Sequence, residues 1–144
     1  MQEKRTKSRW IPVIVVMVCI FIHSALPADL SREESGWILE KLTALLHLTG
    51  DPEILIFFVR KAAHFLEYLA LGLCLGRAVD RSLYAWLLGT GYAATDEWHQ
   101  YFVPGRSCEL RDIGIDAIGM LAGVLLIVLI RHGKEKRRER AEHV

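Results

Sequence analysis

Apolar residues in this chain come in blocks about as long as a bilayer is thick, and charged residues stand between the blocks, after them and within three of them. Of the 144 residues 52% are apolar and 24% charged, and a soluble domain with that composition would spread its apolar residues through amphipathic segments. Gathered into blocks, they suit a lipid solvent, where one crossing needs ~20 mostly apolar residues. The length fits one domain. Formal net charge is +1, so the total says little about partners, and no nucleic-acid partner is expected. Cys19, Cys74 and Cys108 make no CxxC pair and no even disulfide framework, and Cys19 and Cys74 read as small buried residues.

The first block runs over residues 10–26 behind a basic start with Lys4, Arg5, Lys7 and Arg9. A cleavable signal peptide has the same outline, but the block is long for a signal core and no A-x-A site follows, which favours a retained span. Pro27 ends it. Ser31 and Glu34 form a capping-box pattern, so a helix is expected to start at Ser31. Trp37, Ile38, Leu42, Leu45 and Leu46 recur at helical spacing behind it, as in a short amphipathic helix lying in the membrane interface or packed on the bundle. Asp51 and Pro52 are good N-cap and first-turn residues for a second span over 52–78. A third span over 83–102 must run on through Asp96, Glu97, His99 and Gln100, because the apolar part alone is too short to cross. After a Pro104-Gly105-Arg106-Ser107 turn, a fourth span covers 111–130, and the basic tail 131–144 reads as disordered or a frayed helix.

Lysines and arginines orient such a bundle. With four spans and the N-terminus inside, the cytoplasmic side holds twelve of them and the opposite side six, counted over all 18. Both termini are therefore expected in the cytoplasm, with Cys108 and the unusual polar residues toward the extracytoplasmic side.

Ionisable side chains within a span are costly and turn toward partners in the bundle. Arg60, His64 and Glu67 share one helix face, as do Asp96, His99 and Gln100, and Asp112, Asp116, Gly119 and Gly123 form a third stripe. Three polar stripes aimed at one place predict a site, with the glycines allowing close approach and carboxylates balancing Arg60, Lys61, Arg106 and Arg111. The competing reading is a network that only holds the bundle in register. His64, Glu67, Asp96, His99, Asp112 and Asp116 are all ligand types for a metal, but no HExxH motif is present, and no metal or cofactor is expected. A nucleophile elbow, P-loop and glycine-rich dinucleotide loop are also missing from the sequence.

The motifs R-K-A-A-H-F-x-E-Y at Arg60–Tyr68, D-E-x-x-Q-x-F-x-P-G-R at Asp96–Arg106 and D-x-x-x-D-x-x-G-x-x-x-G at Asp112–Gly123 resemble the VanZ-like membrane protein family. The resemblance covers residues 59–130, with all three motifs in family order. Asp116 stands where the family commonly has Asn. The resemblance implies a multi-spanning bacterial membrane protein, in a family whose founding member is associated with resistance to the glycopeptide teicoplanin, and it brings no assigned reaction. The expected fold is all-α: four transmembrane helices with a short interfacial helix between spans one and two. The expected domains are a basic N-terminus 1–9, a membrane domain 10–130 and the tail 131–144. The expected function is to bind or modify a cell-envelope amphiphile, such as a lipid-linked precursor or lipoglycopeptide, from the outer leaflet of the bacterial inner membrane. In that reading Arg60, Lys61 and Arg106 meet anionic head groups, while His64, Glu67, Asp96, Glu97, Gln100, Asp112 and Asp116 complete the binding set. His64, Glu67 and Asp96 are the acid–base candidates if the protein is an enzyme, and an accessory subunit with a packing network is the other alternative.

Overall fold

A computed structural model describes residues 2–142, with side chains from Arg9 onward, so Lys4, Arg5 and Lys7 lie outside the described side chains. The described residues form five α-helices and no strand: α1 Gln2–Ser24, α2 Ala28–Leu46, α3 Pro52–Ala78, α4 Ser82–Gln100 and α5 Leu110–Glu142. The fold is all-α, as expected.

α3 and α5 pack most extensively, and glycines set how close they come. A Cβ on Gly123 would stand 2.8 Å from the Leu73 nitrogen and 2.9 Å from the Gly72 Cα, so nothing larger than glycine fits there. Around this seam Tyr68, Leu71, Met120 and Val124 are buried, joined by Ile20 of α1 and Ala85 and Ala93 of α4. Two side chains tie the outer helices to backbone carbonyls: Trp86 Nε1 donates to Ala117 O at 3.1 Å, and Tyr92 OH to Met17 O at 2.7 Å.

Asp51 caps α3, its side chain accepting from the Glu53 amide at 2.8 Å, with Pro52 in the first turn. The start of α2 departs from expectation. The helix begins at Ala28 behind Pro27, and Ser31 lies buried inside it, where its carbonyl accepts from Ser35 Oγ at 2.7 Å. The capping box is not formed, because the Ala28 amide is satisfied from afar by the carbonyl of Pro104 at 3.1 Å. That contact needs Gly105, whose φ of 73° sits in the left-handed region and whose missing side chain leaves room for Ala28. α1 and α2 meet at 108°, so α2 turns across the bundle and lies on α3.

One further expectation is narrowed and one corrected. α5 continues helically past residue 130 through the basic tail to Glu142, in keeping with the helical and not the disordered reading of the tail. Cys19 is exposed rather than buried, at the rim of a cavity that α1 shares with α2 and α3, and Cys74 is half-buried. By length and composition α5 is the one described helix able to cross a membrane alone, and the bent pair α1–α2 raises the number to two. α3 falls short because Arg60, Lys61 and Glu67 interrupt it, and α4 because Asp96 and Glu97 close it.

A polar interior at one end of the bundle

Apolar side chains face outward along the bundle, and polar ones are buried at one end of it. Ile14, Val18 and Ile22 of α1, Leu87 and Leu88 of α4, and Leu125 and Leu129 of α5 face outward, while Asp96, Glu97, Gln100 and Asp116 are buried. The sequence motifs on α3, α4 and α5 supply most of this interior, but their side chains sort into separate contacts rather than one cluster.

Lys61 of α3 pairs with Asp112 in the first turn of α5, where the helix dipole also favours a carboxylate. His64 lies one turn deeper, with Nδ1 3.8 Å from Asp116 Oδ1. Neither Asp116 oxygen has a hydrogen-bond partner, although the residue is only 1% exposed. The hydroxyl of Tyr68 is likewise buried and unpartnered. Glu67 turns toward α1, where its Oε1 meets His23 Nδ1 at 2.8 Å, and His23 stacks on His64 with ring centroids 5.9 Å apart.

On α4, Asp96 accepts from Ser24 Oγ at 2.7 Å and from Gln100 Nε2 at 3.2 Å. Glu97 accepts from the Glu109 amide at 2.8 Å, doing from a neighbouring helix what a capping-box glutamate does at its own N-cap. His99 leaves the group: it stacks on Phe21 with centroids 4.5 Å apart, and its Nε2 has no partner. The end of α1 was missed in the motifs, yet it contributes His23 and Ser24. Two polar residues closing an apolar block look like an ordinary helix end, and no spacing rule ties them to residues more than forty positions away.

The balance of charge also differs from the expected one. Carboxylates meet Lys61 and Arg111, the latter through Glu109 at 2.8 Å. Arg106 takes none. Its Nε donates to Leu26 O at 2.9 Å, Nη2 to His23 O at 3.3 Å and Nη1 to Gln100 Oε1 at 3.1 Å, bracing the end of α1 against the turn after α4. Arg60 has no ion pair or hydrogen bond among the described residues, and it does not meet Glu67. Arg60, Lys61 and Arg106 line a cavity of about 180 Å³ together with Gln100, Glu109 and Asp112. Burial, and next the charge of Arg60, lower the Arg106 pKa, as expected where two guanidinium groups share a confined space. Among the described residues no three His, Cys, Asp or Glu side chains are placed to hold a metal ion together.

No curated protein and no solved structure matches the chain. A family model does, over residues 9–131, which takes in α1 and α2 as well as the three helices that carry the motifs. That span contains every contact of the polar interior, His23 and Ser24 included, and on it the chain belongs to the VanZ/LLP1 family.

Proposed function

We propose that this VanZ-family protein spans the bacterial inner membrane through α1, α3, α4 and α5, with α2 in the outer interface, and binds the anionic head group of a cell-envelope amphiphile at Arg60. Family membership, the apolar α5 and the outward-facing hydrophobic surface support the membrane location. The positive-inside bias favours termini in the cytoplasm and the polar end facing out.

The observation that carries the binding reading is Arg60, a half-buried guanidinium without a counter-charge, beside Arg106 in a confined polar cavity. An arginine held this way favours an anion, and its planar fork suits a phosphate or carboxylate. Much of the remaining network is bracing. Lys61 is used by Asp112, Arg106 by two carbonyls and Gln100, and Glu97 by the α5 cap. These groups hold the cavity open and positively charged, while Arg60 meets the ligand. The cavity of about 180 Å³ accommodates a head group and not a whole lipid, so the rest of an amphiphile extends into the membrane. A lipid-linked precursor or a lipoglycopeptide is the class this arrangement suits.

The test uses purified protein in zwitterionic nanodiscs doped with phosphatidylglycerol, with lipid retention read by native mass spectrometry. Wild type should retain the anionic lipid, and Arg60→Gln should weaken retention about tenfold, the loss of one charge-assisted hydrogen bond. Equal retention by a stably folded Arg60→Gln protein would sink the reading and leave a purely structural network.

A further inference from the structure

On the other face of α3 the same end of the bundle holds a second, differently built space. Where α2 crosses α3, a cavity of about 400 Å³ is walled by Leu42, Leu55, Phe58, Ala62 and Leu66 and by no charged residue. Ile38, Val59 and Ala63 belong both to its wall and to that of a neighbouring cavity of about 480 Å³, so the two adjoin along these three side chains. The second cavity ends in polar groups: His23, Glu34, Ser35 and Glu67. It shares no lining residue with the cavity at Arg60.

The charge at this polar end is one-sided. His23 Nδ1 meets Glu67 Oε1 at 2.8 Å, and its Nε2 stands 3.5 Å from Glu34 Oε2. One imidazole thus faces two carboxylates, and even a protonated ring leaves an excess negative charge. Glu67 Oε2 is buried and has no donor at all. A buried acceptor left this way is destabilising unless something donates to it. No lysine or arginine lines the cavity. The complement is a molecule with a hydrocarbon chain at one end and a cationic hydrogen-bond donor at the other.

We infer that the space under α2 is a second binding site, for a single-chain amphiphile ending in a primary ammonium group. The chain lies between α2 and α3 along Leu42, Leu55 and Phe58, and the ammonium donates to Glu67 Oε2 and Glu34. This site goes beyond the anion reading and selects the opposite head-group charge.

The test is photocrosslinking of a diazirine-bearing hexadecylamine to the full chain in zwitterionic nanodiscs, followed by peptide mapping. Label should fall on the α2–α3 segment between Ile38 and Leu66. Unlabelled hexadecylamine should compete for it and hexadecanoate should not. Glu67→Gln should reduce labelling about tenfold, and Ala63→Trp, which puts a large side chain into the wall shared by the two cavities, should abolish it. Glu34→Gln, on a half-exposed carboxylate that folding tolerates, should reduce it by a smaller factor. Phosphatidylglycerol retention measured on the same variants reports the Arg60 cavity separately, so loss of one site is distinguishable from loss of the other. Label spread as heavily over outward Leu125 and Leu129 of α5 would mean ordinary surrounding lipid and overturn the site. Equal competition by hexadecanoate, or undiminished labelling of Glu67→Gln and Glu34→Gln, would overturn it as well.

Discussion

Arg60 and Lys61 are neighbours in sequence and differ in fate, because on a helix adjacent residues point about a hundred degrees apart. Lys61 reaches Asp112 on α5, while Arg60 is left facing the cavity. The same contrast appears among glycines. Gly123 sits where α3 and α5 touch, whereas Gly114 has open space where a Cβ would stand. Replacing Gly123 with Leu forces the two backbones apart and should cost about 1–3 kcal/mol or more. Gly114→Ala should be neutral or stabilising by up to about 1 kcal/mol through helix propensity. Thermal unfolding in detergent, followed by gel filtration, checks both, and a tolerated Gly123→Leu would remove the close approach from the account. The glycine stripe and the ion-forming types were legible because a helix has a fixed period. His23 and Ser24 were not, since their partners lie 44 and 72 positions away.

At the scale of elements, N-caps written by neighbouring residues were readable, and caps supplied from elsewhere were not. Asp51-Pro52 starts α3 as its sequence dictates, but α2 starts at Ala28 on a carbonyl donated by Pro104, overriding the local pattern at Ser31 and Glu34. α5 is the longest helix, with 33 residues spanning about 50 Å. Its hydrocarbon-length part ends near Ile130, and every later described residue is exposed. Deleting residues after Gly133 should leave the bundle's melting temperature unchanged, because no packing is lost. It should lower the yield of correctly inserted protein and the salt-sensitive attraction to anionic lipid. A drop in melting temperature would show that the tail packs on the bundle.

For the whole molecule, the inverted polarity decides which solvent the fold expects. Outward Ile, Leu and Val over buried Asp, Glu and Gln is costly in water, whereas in lipid the same surface is matched. The orientation proposed from the charge bias places the exposed Cys108, between α4 and α5, outside the cell. A membrane-impermeant maleimide applied to intact cells, with the outer membrane permeabilised where present, should label Cys108 alone. Cys19 is exposed too, but on α1 among the apolar residues Val18, Ile20 and Ile22, where a membrane-impermeant reagent does not reach it. Labelling of Cys108 only after lysis would turn the polar end toward the cytoplasm.

The sequence by itself determined the helices, because 3.6-residue periodicity, Pro, Gly and Asp at helix ends, and apolar block length are local quantities. It also determined the family, through three motifs in order, and which residue types had to face inward, through the cost of placing them in lipid. Tertiary structure decided the partners. That Glu67 belongs to His23 and not to Arg60, that Arg106 braces carbonyls instead of meeting a carboxylate, and that α2 folds back over α3 to make a groove all depend on how helices distant in the chain cross. Crossing geometry comes from close packing summed over many residues, at Gly72, Gly123, Met120 and their neighbours, and no short stretch of the chain encodes it.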